Sequence, residues 1–200
     1  MHERDFIGEA HLTASAITAA GAQLDTLALA ASGDPKAVRA TLEARGPDQT
    51  RVALALHGTP TLAPHRGPYR VKIVGADMTV DELALARHGQ AWTATGPASV
   101  RVHGGVALQK LELASGAQRL GLDGTYDFAS GATAASLRAD KLNLKQLVGL
   151  VKPANGFPEA PVSLEAHGRY AGERATAEWT LASAGQSLRG NLDVPTVLTG

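Results

Sequence analysis

Hydrophobic side chains recur at every second position along most of this chain: Leu27 and Leu29; Val52, Leu54 and Leu56; Val71 and Ile73; Val100 and Val102; Leu111 and Leu113; Leu120 and Leu122. Charged residues stand between or beside them, among them Arg51, Arg70, Lys72, Arg101, Lys110 and Glu112. A period of two sends alternate side chains to opposite faces of a strand. Each run therefore predicts a strand with one apolar and one solvated face, as in antiparallel sheet wetted on one side. Several runs end on glycine, which lets the chain turn: RVALALHG (51–58), QRLGLDG (118–124) and VSLEAHG (162–168). Asp123-Gly124 and Gly104-Gly105 are two-residue hairpin signals, so consecutive strands are expected to pair as a meander. The predicted class is all-β.

Three features pull against uniform strand. Alanine, a helix former depleted in strands, occupies 37 positions, and it is overridden only where the alternation is clear. In residues 32–46, Asp34, Pro35 and Gly46 could start and stop a helix, yet Val38, Ala40, Leu42 and Ala44 alternate with polar neighbours, and the period favours strand. One short helix is expected near 143–151, where Leu144, Leu147, Val148 and Val151 follow Asn143 at helical spacing and Pro153 ends the run. Two stretches rich in proline, 57–69 and 152–161, are expected to leave the ladder as loops. They divide the repetitive segment 1–200 into blocks 1–57, 69–151 and 161–200.

Composition and charge restrict the function. Acidic and basic residues balance at 19 each, which argues against a grip on nucleic acid, since neutralising phosphates takes a basic surplus. Cysteine is absent, which removes disulfides and thiolate metal sites without selecting a compartment. No window approaches the ~20 apolar residues of a membrane span, and the charged start MHERDFIGEA is unlike a signal peptide. The alternating phrase is already running at Gly8–Ala16 and still running at Ser187–Val194, so the chain is expected to be a slice of a longer exported array.

Catalytic signatures are missing: there is no nucleophile elbow, dinucleotide fingerprint, phosphate loop or zinc-protease motif. The seven histidines never stand at ligand spacing, and His57, His103 and His167, each before a glycine, read as strand-end or turn residues. Asp77, Asp81 and Glu82 cluster in a way that could serve acid–base work, but a solvated turn is the expected setting. No enzyme activity, metal or cofactor is expected. Trp92 and Trp179, the two tryptophans, each sit in a strand phrase, either packing or lining the mouth of an apolar channel.

The passage AWTATGPASVRVHGGVALQKLELASGAQRLGLDGTYD (91–127), with ASLRADKLNLKQLVGLV (135–151), resembles the repeat region of the TamB family, the translocation and assembly module subunits of Gram-negative envelopes, whose texture the AsmA-like proteins share. The order of elements carries the likeness. A tryptophan-bearing strand is followed by a Gly-Pro step, a Leu-x-x-Leu-x-Leu strand (Leu108, Leu111, Leu113), an apolar strand ending in Asp-Gly, and Leu-x-Leu-x-x-Leu (Leu142, Leu144, Leu147). The resemblance runs loosely from about Gly8 to the end, without the membrane anchor or the C-terminal domain of a whole family member.

It implies an elongated antiparallel meander of about twelve to fourteen strands curled into a taco-like trough with an apolar interior. It also implies a periplasmic segment of a protein anchored in the inner membrane, carrying phospholipid acyl chains, working with an outer-membrane barrel partner and serving outer-membrane protein assembly. The residues it implies as groove lining are Val52, Leu54, Leu56, Val71, Ile73, Val100, Val102, Leu111, Leu113, Leu120, Leu122, Leu137, Leu142, Leu144, Trp179 and Leu181. Paired strands satisfy their backbone internally while aligning leucine and valine, which is what an acyl chain requires of its surroundings. The competing expectation is a structural or adhesive β-repeat whose apolar face is a sealed core. Leu, Val, Ile and Phe together fill only 44 positions, sparse for a dry core, which leans toward a face that holds something else.

Overall fold

A computed structural model describes residues 8–19, 22–64, 71–145 and 160–195, and nearly all of them are antiparallel strand, in keeping with the all-β reading. The chain divides into two compact units, 1–103 and 104–200, each taken by itself below. The first contains β1 (Gly8–Ala19), β2 (Ala22–Gly33), β3 (Val38–Gly46), β4 (Thr50–Pro64), β5 (Val71–Arg87), β6 (Gln90–Ala94) and β7 (Ala98–His103). The second contains β8 (Gly105–Ser115), β9 (Gln118–Asp127), β10 (Thr133–Leu142), β11 (Val162–Ala171), β12 (Arg174–Ser183) and β13 (Gln186–Pro195).

In the first unit β1 to β5 pair in sequence, and β6 and β7 then share the far edge of β5, opposite residues 84–87 and 75–80. In the second unit β8 to β13 form an unbroken meander. Among the described residues, extensive contacts within each unit run between hydrogen-bonded neighbours. The hairpins β5–β6 and β12–β13 turn through His88-Gly89 and Ala184-Gly185, with consecutive positive φ values of 49° and 76°, and 49° and 79°. Those are type I′ turns, whose twist matches that of the flanking strands and which call for glycine at the second position.

The alternation over 38–46 is strand β3, and Asp34 caps a turn rather than a helix. Its Oδ1 accepts from the N–H groups of Lys36 (2.7 Å) and Ala37 (2.8 Å), and these bonds hold its carboxyl below the usual carboxylate range.

Several expectations are corrected. Residues 57–64 do not leave the ladder: β4 continues to Pro64, pairing Pro60 with Ala76 and Pro64 with Val71. β3 reaches only as far as Gly58 on the other side, so both prolines lie where β4 has an unpaired flank for residues without an N–H. Asp123-Gly124 is not a hairpin but lies inside β9, paired with Ser136 and Ala135; the Gly104-Gly105 turn is present, with Gly104 at φ 65° the single residue between β7 and β8. His57 and His167 lie within β4 and β11, while His103 ends β7. Asp77, Asp81 and Glu82 lie on β5, not in a turn. Of the expected helix only Leu144 and Lys145 are helical among the described residues; Leu147, Val148 and Val151 lie outside them, as does 151–159 of the second proline-rich stretch.

Candidate functional site: the apolar faces of the two units

Strand register turns the one-dimensional alternation into rows that cross each sheet. In the first unit Leu12, Leu29, Leu42, Leu54 and Leu83 are successive cross-strand partners, one leucine per strand over five strands. The next row on that face is Ala14, Leu27, Ala44, Val52, Leu85 and Trp92, and the row on the other side is Ala10, Ala31, Ala40, Leu56, Val80 and Ala98. Val100 continues the face opposite Met78, Val102 opposite Ala76, and Ile73 opposite Leu62, while Val71 is the register partner of Pro64. In the second unit the rows are Leu113, Leu120, Ala139, Leu164, Leu181 and Leu188, and then Leu111, Leu122, Leu137, Ala166, Trp179 and Gly190. Leu142 pairs with Val162, and Leu144 lies past the end of β10, outside the rows.

Directly opposed side chains are close enough to pack, so each row is a continuous apolar stripe. Burial along the stripes is graded. Trp92 (3 % exposed), Val80, Ala98, Leu111, Leu113 (7 %), Leu142 and Val162 are buried, whereas Leu12, Leu29 (38 %), Ile73, Leu122, Leu188 (59 %) and Leu192 stay open on the same faces. Burial of Trp92 matches the packing alternative for that residue. Trp179 is half-buried, with its indole lying over Gly190 on the neighbouring strand, where a Cβ would collide with the ring.

The stripes stay on one face because β-bulges reset the alternation. Leu108 and Leu111 are separated by Gln109 and Lys110 against a single partner position, Asp123; Ala139 and Leu142 are separated by Asp140 and Lys141 against Ser163. Lys110 and Lys141 take φ values of 59° and 53°, and the Lys110 N–H donates to Asp123 Oδ1 at 2.6 Å. Asp81 is the extra residue of a third bulge, between Val80 and Leu83. A one-residue slip would send every later leucine to the wet face, and the bulge cancels that slip.

The opposite faces carry ion pairs. His57 Nδ1 lies 2.7 Å from Asp81 Oδ2, Arg101 donates to Asp77 at 2.8 Å with His103 at 3.3 Å, and Arg174 grips Asp193 through two hydrogen bonds of 2.7 Å. Arg101 beside Asp77, with His103 adding a second bond, holds that carboxyl below the usual range; Arg174 does the same for Asp193. All these groups are exposed, and each pair links neighbouring strands. Among the described residues no cluster of histidine and carboxylate side chains could hold a metal ion, and no helix is long and apolar enough to cross a membrane.

The rows contain apolar positions that the lining expected from sequence left out: Leu12, Leu29, Leu42, Leu83, Leu164, Leu188 and Leu192. Their signal was present as the same period of two, at Leu27/Leu29, Val38 to Ala44, Leu83/Leu85 and Val162/Leu164; only the step from Val80 to Leu83 looks interrupted until the bulge at Asp81 is supplied. No protein-family model, curated protein or solved structure matches the chain.

Proposed function

We propose that this chain is a non-enzymatic lipid-handling segment whose apolar sheet faces receive phospholipid acyl chains. It would act as part of a periplasm-spanning envelope protein of the TamB type that moves phospholipid between membranes or assists outer-membrane protein assembly. The observation that carries this reading is that the leucine rows form continuous stripes across the strands of each unit yet remain open to water at Leu12, Leu29, Leu122, Leu188 and Leu192. Leucines left this exposed are apolar surface unburied, and an acyl chain lying along them would remove that surface from water without asking for a hydrogen bond. Trp179, half-buried among the leucines, offers a broad ring to the same occupant. An outer-membrane barrel partner belongs to the same proposal.

The test is native mass spectrometry of the protein purified from cells with an inner and an outer membrane, followed by delipidation and reloading. Co-purifying phospholipid, competed off by a fluorescent fatty acid, is the expected result; protein that carries and reloads nothing removes the reading. The second reading, a structural β-repeat with a sealed core, draws on the burial of Trp92, Leu113, Leu142 and Val162. It predicts no lipid and a face that tolerates no charge at any row position.

A further inference from the structure

At one end of the second unit, where β9, β11 and β13 finish and β8, β10 and β12 start, the apolar face ends in an aromatic rim. Tyr126 and Tyr170 stand there in one cross-strand row with Val106 and Val194. Phe128, just beyond β9, meets Tyr126 edge to face with ring centroids 5.7 Å apart. Tyr126 is 45 % exposed and Phe128 56 %.

The turn that carries Phe128 is firmly held. Asp127 Oδ1 accepts from the Ala129 N–H (3.1 Å), the Ser130 N–H (2.7 Å) and the Ser130 hydroxyl (2.6 Å). Gly131 N–H donates to the Asp127 carbonyl (2.9 Å), Asp127 N–H to Ala132 (2.9 Å) and Phe128 N–H to Gly104 (3.0 Å). Phe128, 56 % exposed on so tied a turn, has the edge of Tyr126 as its aromatic contact, and a preorganised ring loses little entropy on entering another apolar phase. The neighbouring charges do not select a charged partner. Among the described residues at this end of the second unit, Arg174 and Asp193 pair with each other, the Asp127 carboxylate is engaged by its own turn, and Arg169 and Glu173 are of opposite sign.

We propose that this rim docks into the interfacial layer of a phospholipid bilayer, with Phe128 entering the acyl boundary and the Tyr126 and Tyr170 hydroxyls staying at headgroup level. Amphipathic rings at the edge of an apolar face suit that layer, where one end of the side chain is dry and the other wet. Continuity of the rim with the leucine rows would make it the point at which acyl chains pass onto the sheet, a role that rests on the lipid-handling reading above.

The experiment is co-sedimentation of the whole chain with phosphatidylcholine vesicles, for the wild type, Phe128→Ser and Tyr126→Ser. We expect the wild type to bind without dependence on salt, and Phe128→Ser to lower the partition coefficient by about tenfold while the chain stays folded with a modestly lowered melting temperature, since more than half of the ring is already in water and the edge contact with Tyr126 is lost. Wild-type protein that ignores the vesicles, or variants that bind as well as the wild type, would overturn the proposal. So would self-association that Phe128→Ser abolishes in the absence of vesicle binding, which would assign the rim to a second copy of the chain. Lipid loading measured by native mass spectrometry separates the two readings: a chain that carries lipid but fails to bind vesicles loses only the rim, and one that binds vesicles but carries no lipid loses only the trough.

Discussion

Placing an aspartate at three points of the leucine rows distinguishes an open face from a sealed core. Leu113 is 7 % exposed, Leu29 38 % and Leu188 59 %. Burying a leucine completely is worth about 1.5–3 kcal/mol, so Leu188→Asp, which gives up less than half of that, should cost about 1 kcal/mol, and Leu29→Asp slightly more. Leu113→Asp loses nearly the whole term and also leaves a carboxylate with no partner in a dry site, so a cost on the order of 3–5 kcal/mol is expected. Set against a typical stability of about 5–15 kcal/mol, only the last substitution threatens the fold. Urea unfolding followed by circular dichroism gives the stabilities, and native mass spectrometry of the same samples gives bound lipid. The expected pattern is a Leu188→Asp or Leu29→Asp protein of nearly wild-type stability that has lost lipid, beside a Leu113→Asp protein whose unfolding free energy has fallen by about 3–5 kcal/mol. If Leu188→Asp destabilises the chain as much as Leu113→Asp, the open part of the row is covered in solution and the reasoning fails.

Three further outcomes are expected. Asp123→Ala removes the acceptor of the Lys110 N–H at the β8 bulge and should cost about 1 kcal/mol, with faster hydrogen exchange at the Lys110 amide; an unchanged exchange rate would show that the bulge does not depend on this bond. Asp77 and Asp193 have carboxyls held low in the folded chain by Arg101 and Arg174, so the stability they contribute is full above the unfolded carboxylate value of 3.8 and is lost as pH falls through their folded values. Arg174→Gln should therefore flatten the acid limb of a urea-midpoint profile, and a profile identical to the wild type would refute the linkage. Gly190→Val should push the Trp179 indole off its neighbouring strand at a cost of about 1–3 kcal/mol, with a red shift of tryptophan emission; an unshifted spectrum would mean that the ring does not rest there.

Strand identity was legible wherever alternation was unbroken, as in β4 over Val52, Leu54 and Leu56, in β9 over Leu120 and Leu122, and even in the disputed stretch before Gly46. It failed where a residue type outweighed the pattern. Pro60 and Pro64 read as loop because proline rarely enters a ladder, and only the shorter β3 shows that β4 has a bare flank there. Asp123-Gly124 carries the signature of a tight turn, yet Asp123 serves β8 as the acceptor at its bulge, a demand made by a neighbouring strand that no local window contains. Asp77, Asp81 and Glu82 read as a turn by polarity, but they are the wet face and bulge of β5.

What the sequence determined by itself is therefore the binary choice at each position, apolar or wet, because the two-residue period follows from strand geometry alone. Which leucines lie side by side was decided by tertiary pairing: Leu12, Leu29, Leu42, Leu54 and Leu83 become one stripe only once register is set. Register depends on turn lengths, on bulges such as those at Lys110 and Lys141, and on the partner strand, all of which act across separations that a reading along the chain does not weigh. The gradient from buried Leu113 to open Leu188 within a single row, on which the lipid reading rests, likewise comes from the sheet's neighbours, since the two leucines are indistinguishable in the sequence pattern.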